Sequence, residues 1–262
     1  MRIGFQLIAC TMTEKNISKP YENLSIVYNR IMRKVNYEKW AEYIWTIAAA
    51  NIDGEIFALE LGSGTCNFAN ILRRNVKSIV ASDISSSMLL QSNDKKLKKI
   101  CFDMSAIPLK KKFNLVISLF DSVNYLTSKK KFFSMLKDVE SILADDGIFT
   151  FDVSLEKNSY KFIKYSNHSG SIKNIQYDHQ TNFNPKTRIH KNIFVLKFKD
   201  GKQIIEKHKQ KIYPFNFYFE VIEKTNLYVA ECYRAFTFTK GSPNSDRLQF
   251  ILKKRKQDAL SY

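Results

Sequence analysis

Two short apolar runs, each ending in a polar turn, constrain this chain more than any other feature. The first, Phe57-Ala58-Leu59-Glu60-Leu61, enters Gly62-Ser63-Gly64-Thr65-Cys66; the second, Ser78 to Ser82, ends on Asp83 and is followed by Ile84-Ser85. Apolar runs of this length between turn residues are strands buried on both faces. A strand, a glycine turn, a helix and a second strand ending in an acid about 20 residues on make a crossover unit that holds a ribose. The backbone at Gly62 and Gly64 can approach a ligand because no Cβ intervenes. The expectation is a nucleoside pocket. A nicotinamide dinucleotide fits it less well, because Gly62-x-Gly64 lacks the later glycine that close pyrophosphate packing needs.

The same rhythm continues along the chain. Tyr37, Trp40, Ala41, Ile44, Trp45 and Ala48 recur at helical spacing, so Tyr37 to Ala50 is an amphipathic helix. Helices are predicted from Asn67 to Arg74, Ser85 to Gln91 and Lys129 to Leu143, with strands at Ile100 to Phe102, Phe113 to Phe120 and Ile148 to Val153. Strands alternating with helices at this spacing give a parallel sheet covered on both faces. The pattern changes after Leu155. Glu156 to Gly170 is polar and reads as a loop. Three alternating segments follow, Ser171 to Tyr177, Arg188 to Phe198 and Gln203 to Tyr213, with Asp200-Gly201 as a hairpin turn. Phe215 to Thr225 is a last helix, and Leu227 to Thr237 with Leu248 to Lys253 a final hairpin that returns to the main sheet.

Composition narrows the class. The chain has 262 residues, 44% apolar and 26% charged, ordinary for a globular protein. No apolar run approaches the roughly 18 residues of a membrane span. Leu7-Ile8-Ala9-Cys10 imitates a lipoprotein cleavage site, but the apolar stretch is short and Gln6 interrupts it. Residues 1–20 are expected to be a poorly ordered lead-in, with Met12 an alternative start. Cys10, Cys66, Cys101 and Cys232 form no CxxC pair, which fits neither a metal site nor a disulfide framework, and they read as thiols of a cytoplasmic protein. A net charge of +17 arises from lysine runs such as Lys95 to Lys99 and Lys129 to Lys131. No aromatic-rich basic motif accompanies them, so a solvated surface is favoured over a nucleic-acid face.

Further features follow the glycine turn in order: Asp83-Ile84-Ser85-Ser86-Ser87-Met88-Leu89, Phe102-Asp103-Met104, and Phe113-Asn114-Leu115-Val116 leading to Leu119-Phe120-Asp121-Ser122-Val123-Asn124-Tyr125-Leu126. With them the chain resembles the class I S-adenosylmethionine-dependent methyltransferases, closest to a small-molecule group that includes amino-sugar N-methyltransferases. Glu206-Lys207-His208-Lys209-Gln210 and Ser245-Asp246-Arg247 also resemble that group. The resemblance implies an α/β, Rossmann-like seven-stranded methyltransferase sheet, mostly parallel with the last strand antiparallel. It implies a cofactor-binding domain from 21–155 and 214–262, a helical lid over 21–50, and an antiparallel β insert over 156–213 covering the active site.

Residue roles implied by the resemblance are specific. S-adenosyl-L-methionine is the cofactor. Gly62, Ser63 and Gly64 form its loop, and Glu60 lies near the methionine amino group. Asp83 takes both ribose hydroxyls, Ile84 and Met88 flank the adenine side, and Asp103 with Met104 meets the adenine. Phe120 flanks the methionine part, and Tyr28 is a candidate for its carboxylate. Asp83 and Asp103 also suit simple turn caps, and Tyr28 a core aromatic. One departure from the family is Cys66, where a third small residue is usual. Tyr125, Asp121 and His208 are the candidate catalytic residues, with Asn124 an alternative from the same loop, though a sheet-surface histidine is the preferred reading of His208. The acceptor expected is a small molecule methylated on N or O. An RNA or DNA methyltransferase is the alternative, lacking an Asn/Asp-Pro-Pro-aromatic motif after the fourth strand; a non-catalytic cofactor-binding protein is another. A homodimer is left open, and no membrane partner is expected.

Overall fold

The computed structural model of the protein describes residues 17–165 and 168–256. The lipoprotein-like Leu7 to Cys10 and Met12 lie outside the described residues. The strands are β1 (Ile17–Ser18), β2 (Phe57–Leu61), β3 (Ser78–Asp83), β4 (Lys98–Cys101), β5 (Phe113–Ser118), β6 (Leu143–Ser154), β7 (His168–Ile172), β8 (Ile175–Asn184), β9 (Ile189–Phe198), β10 (Gln203–Lys211), β11 (Leu227–Arg234) and β12 (Arg247–Lys254). The helices are α1 (Ser25–Ile31), α2 (Tyr37–Ala49), α3 (Asn67–Leu72), α4 (Ser86–Leu89), α5 (Lys129–Ile142), α6 (Glu156–Tyr165) and α7 (Phe215–Ile222).

Seven strands form one sheet in the order β11-β12-β6-β5-β2-β3-β4. β6, β5, β2, β3 and β4 pair in parallel, and β12 runs antiparallel to both β6 and β11. This is the Rossmann-like methyltransferase architecture. Each face of the sheet is buried under helices. On one side Phe132, Met135, Leu136 and Val139 of α5 and Tyr218 of α7 pack on Phe149, Phe151 and Phe250. On the other, Trp40, Ile44 and Ile47 of α2 and Phe68 and Leu72 of α3 cover Ala58, Ile79 and Ile117. α2 and α5 begin where the sequence supplies caps: the Asn36 side chain accepts from Lys39 N at 2.9 Å and Ser128 Oγ from Lys131 N at 3.2 Å.

A second sheet has the order β1-β10-β9-β8-β7. Its inner strands are antiparallel, but β1 joins the edge in parallel, Ile17 opposite Ile205. Residues 17–20 are therefore part of the folded body and not a lead-in. α1 lies on this sheet through Leu24 and Val27, which pack with Tyr177, Phe194, Leu196 and Ile204. Burying two such side chains contributes about 2 kcal/mol each. Glu156 to Gly170 was expected to be a loop, but Glu156–Tyr165 is α6 and His168 to Gly170 begins β7. α6 buries Ser159 and sets Tyr160 edge-on to Phe183 of β8, while Tyr160 and Ile163 stay partly exposed. Its few apolar side chains lie among Lys, Asn and Ser and stay largely exposed, so composition reads as loop.

Candidate active site

A cavity of about 520 Å³ opens at the carboxyl ends of β2, β3 and β5 and beneath the segment that precedes α1. That is where open α/β sheets receive ligands. Its wall includes Tyr28, Gly62, Ser63, Gly64, Asp83, Ile84, Met88, Asp103, Met104, Phe120 and Tyr125. The sequence brought these residues forward together. Tyr21, Tyr37, Ser122 and Lys131 line it as well and were not anticipated.

The floor is the turn after β2. Gly62 has φ +71, and a Cβ there would lie 2.8 Å from Ser122 Cβ. Any larger residue would drive the β2 turn and the β5 loop apart. The turn is tied to β3 by Ser63 N donating to Ser82 O at 2.8 Å and by Gly64 N donating to Asp83 Oδ2 at 2.8 Å. Cys66, which stands where a third small residue is usual, is buried at the start of α3 with φ +63. Its small side chain fits that left-handed position, and burial pushes the thiol up to about 11.

Asp83 is buried, and its Oδ1 accepts from Ser85 N at 2.8 Å. It does cap its turn, yet it lines the cavity and each carboxylate oxygen has capacity for a further donor. Burial raises its pKa, and the Ser85, Gly64 and Ile84 N–H groups oppose that rise. Asp103 also closes a turn: Oδ1 accepts from Ser105 N and Ser105 Oγ, and Oδ2 pairs with Lys131 Nζ at 3.2 Å. Its burial would raise the pKa, but the Ser105 and Lys131 donors win and hold it low. Ile84 stands largely exposed on the rim.

Glu60 does not line the cavity wall. It is 1% exposed at the carboxyl end of β2, and its Oε2 has no hydrogen-bond partner. Burial, with the nearby Asp83 charge, pushes its pKa up to about 8, against a lowering contribution from the Ala69 N–H. A buried carboxyl with an idle oxygen beside a nucleoside-sized cavity invites a cationic or donor group.

The opposite end of the cavity is aromatic. Tyr21 and Tyr125 share a hydrogen bond of 2.6 Å between hydroxyls, and Tyr28 meets Tyr21 edge-on with ring centroids 5.7 Å apart. Burial raises the pKa of all three phenols. His208 lies behind Tyr125, its Nδ1 3.3 Å from the Tyr125 hydroxyl. It is buried, not a sheet-surface histidine. Asp121 faces away: Arg247 donates to its Oδ1 at 2.7 Å and Gln210 Nε2 to its Oδ2 at 2.7 Å. Asn124 is also committed, donating to Lys211 O and accepting from Ser154 N. Phe120 and Asp121 both take left-handed backbone, φ +58 and +51, which turns the chain sharply after β5 and delivers Tyr125.

One signal for the residues missed was present in β10. Period-two alternation puts Glu206, His208 and Gln210 on one face and Lys207, Lys209 and Lys211 on the other. The lysine face is the wet one, so the other buries three polar side chains, an arrangement that demands specific partners.

Among the described residues no group of three or more His, Cys, Asp or Glu side chains is placed to hold a metal ion, no helix is long and apolar enough to cross a membrane, and Cys66, Cys101 and Cys232 are free thiols. Residues 58–147 match the family described as Methyltransferase domain. The chain is 26% identical to "Putative methyltransferase YqeM" of Bacillus subtilis over 90% of its own length and 98% of that protein's. Its fold is shared with an S-adenosylmethionine-dependent methyltransferase from Clostridium acetobutylicum, with a TM-score of 0.75 at 21% identity over 88% of this chain and 98% of that one. It is shared as well with the sugar N-methyltransferase KedS8 from a Streptoalloteichus species, with a TM-score of 0.71 at 12% identity over 97% and 99%. The bare backbone at Gly62 and Gly64, the strand-end Asp83 and the idle Glu60 oxygen suit a nucleoside bearing an amino-acid arm. The chain carries a methyltransferase domain over residues 58–147, on a fold shared with S-adenosylmethionine-dependent methyltransferases.

Proposed function

We propose that the protein methylates N or O of a small-molecule acceptor such as an amino sugar, bound at the Tyr21–Tyr125 end of the cavity. The observation that carries this reading is the closure of that end: two hydroxyls 2.6 Å apart, from the segment before α1 and the loop after β5, roof a cavity of about 520 Å³. A space of that size suits a cofactor and a small partner. The likeness to KedS8, a sugar N-methyltransferase, supports it at the level of fold.

In this reading Asp83 accepts from the ribose hydroxyls, Asp103 and the Met104 N–H meet the adenine, and Ile84 and Met88 flank it. Phe120 and Tyr28 border the methionine arm, and Glu60 balances its ammonium. Residues 21–50 act as the lid and the second sheet as the acceptor-side wall, so the cofactor-binding body is 21–155 with 214–256. The free thiols suit a reducing, cytoplasmic setting.

When bound, S-adenosylmethionine would supply a methyl carbon on a positively charged sulfur, open to attack by an amine or hydroxyl with the neutral thioether S-adenosylhomocysteine as leaving group. The protein's own part is to align the acceptor, exclude water and remove a proton. Tyr125 is held neutral by burial, so it cannot serve as a base unaided. It relays the acceptor's proton to His208 Nδ1, 3.3 Å behind it. Asp121 is spent on Arg247 and Gln210 and holds the loop.

The test has two arms. S-adenosylhomocysteine is titrated calorimetrically into the wild type and Asp83→Ala; the variant is expected to bind at least about tenfold more weakly, the worth of one charge-assisted hydrogen bond. Equal affinities would put the nucleoside elsewhere. A methyl-tritiated donor is then incubated with cell extract separated by mass. Label is expected in the low-mass fraction, and label confined to nucleic acid or protein would overturn the small-acceptor reading.

A further inference from the structure

Glu206 is buried on β10, outside the cavity wall, and its carboxylate collects more donors than any other side chain near the site. Oε1 accepts from Ser18 Oγ at 3.1 Å, Asn23 N at 2.6 Å and Leu24 N at 3.0 Å, and Oε2 accepts from Tyr21 N at 2.7 Å. All four belong to the stretch that lays Tyr21 across the cavity. The same Oε2 lies 3.4 Å from His208 Nε2, with neither side chain exposed. This contact is long for a hydrogen bond but within ion-pair reach. Burial alone would raise the Glu206 carboxyl; His208 and the Leu24 and Asn23 N–H groups outweigh it and keep the group ionised.

We propose that Glu206 is a positioning residue that couples closure of the 18–24 segment to the proton-accepting state of His208. The coupling rests on the acceptor-side reading of Tyr125 and His208 given above. A carboxylate facing Nε2 favours a proton there, since a bare ring nitrogen would set lone pair against negative charge. With Nε2 protonated, the Nδ1 lone pair is free to accept from Tyr125. Tyr125 in turn joins Tyr21, whose backbone N–H Glu206 holds. One carboxylate thus makes the base competent in the geometry in which the cavity is covered.

The charges balance. The acceptor loses one proton as it gains the methyl, the proton passes through the phenols to Nδ1, and the imidazolium faces the Glu206 carboxylate. Other groups near His208 do not replace this control. Tyr21 and Phe194 meet the ring edge-on, and His179 is held neutral, its pKa pushed down to about 4 by burial.

The test needs no acceptor. Ring-nitrogen spectra of protein labelled with ¹⁵N-histidine, recorded free and with S-adenosylhomocysteine, report the tautomer of His208, assigned by its loss in His208→Gln. Wild type is expected in the Nε2-protonated form when neutral; an Nδ1-protonated ring would overturn the proposal, and that measurement requires no Glu206 variant. In Glu206→Gln the single tautomer is expected to become a mixture, and the Tyr21, Asn23 and Leu24 amides to exchange at least about tenfold faster with solvent. An unchanged tautomer with faster amides would reduce Glu206 to a strut and overturn the coupling; unchanged amides would overturn the clamp. Failure of the wild type to bind S-adenosylhomocysteine would instead strike the proposed function, and the tautomer would still be legible in the free protein.

Discussion

Glu60, in the role proposed for it, is expected to register ligand binding. Its ordinary pKa of 4.5 is pushed up to about 8 in the fold. A carboxyl with a raised folded value is held protonated there while the unfolded chain releases the proton. Stability therefore falls as pH climbs from about 4.5 to about 8 and is greatest below that window. An ammonium brought against Oε2 reverses the balance and expels the proton. Calorimetric titration of S-adenosylhomocysteine at pH 7 in buffers of different ionisation enthalpy is expected to reveal release of up to about one proton. Glu60→Gln should abolish the buffer dependence. A wild type with no proton release would place the amino group away from Glu60.

At the scale of elements, β12 anchors the loop after β5. Arg247, its first residue, bonds Asp152 of β6 and Asp121 at the bend, and Asp152 has no side-chain exposure. Burial raises Asp152, Arg247 pulls it down and Asp121 pushes it up, leaving it at about 6. Arg247→Met strands two carboxylates and is expected to cost about 3 kcal/mol in urea unfolding. Without the guanidinium, Asp152 is harder to ionise, so the loss should be larger at pH 8 than at pH 5. An equal loss at both would mean that the triad carries no charge coupling. Elements of this kind were unevenly legible. β2, β3 and β5 announce themselves as short continuous apolar runs buried on both faces, and α2 and α5 as apolar faces at helical spacing. β1 and α6 do not: two residues of edge strand have no period, and α6 buries Ser159 while its large apolar side chains Tyr160, Phe162 and Ile163 stay exposed. The strand-end Asp83 and the glycine loop were legible because their chemistry is local in sequence. The Glu206 contacts join residues more than 180 positions apart, and only the alternation of β10 hinted that such partners must exist.

For the whole molecule, the net charge of +17 raises the question of a polyanionic partner. Filter retention of tRNA is expected to fall away by about 0.15 M salt, as for a diffuse basic surface. Salt-resistant submicromolar retention would favour a nucleic-acid acceptor over a small one. Gln210 of the second sheet reaches the loop after β5 at the sharp bend of Phe120–Asp121, where two non-glycine residues hold left-handed backbone at a cost of about 1 kcal/mol each. Trp40 and Tyr37 grip the first side chain, Arg247 and Gln210 the second. A bend that leans on four distant supports is the first place to relax when any of them weakens. Damage in β10 or β12 should therefore blunt turnover well before the protein melts, and inherited variants at those remote strands would pass for catalytic lesions in a cell.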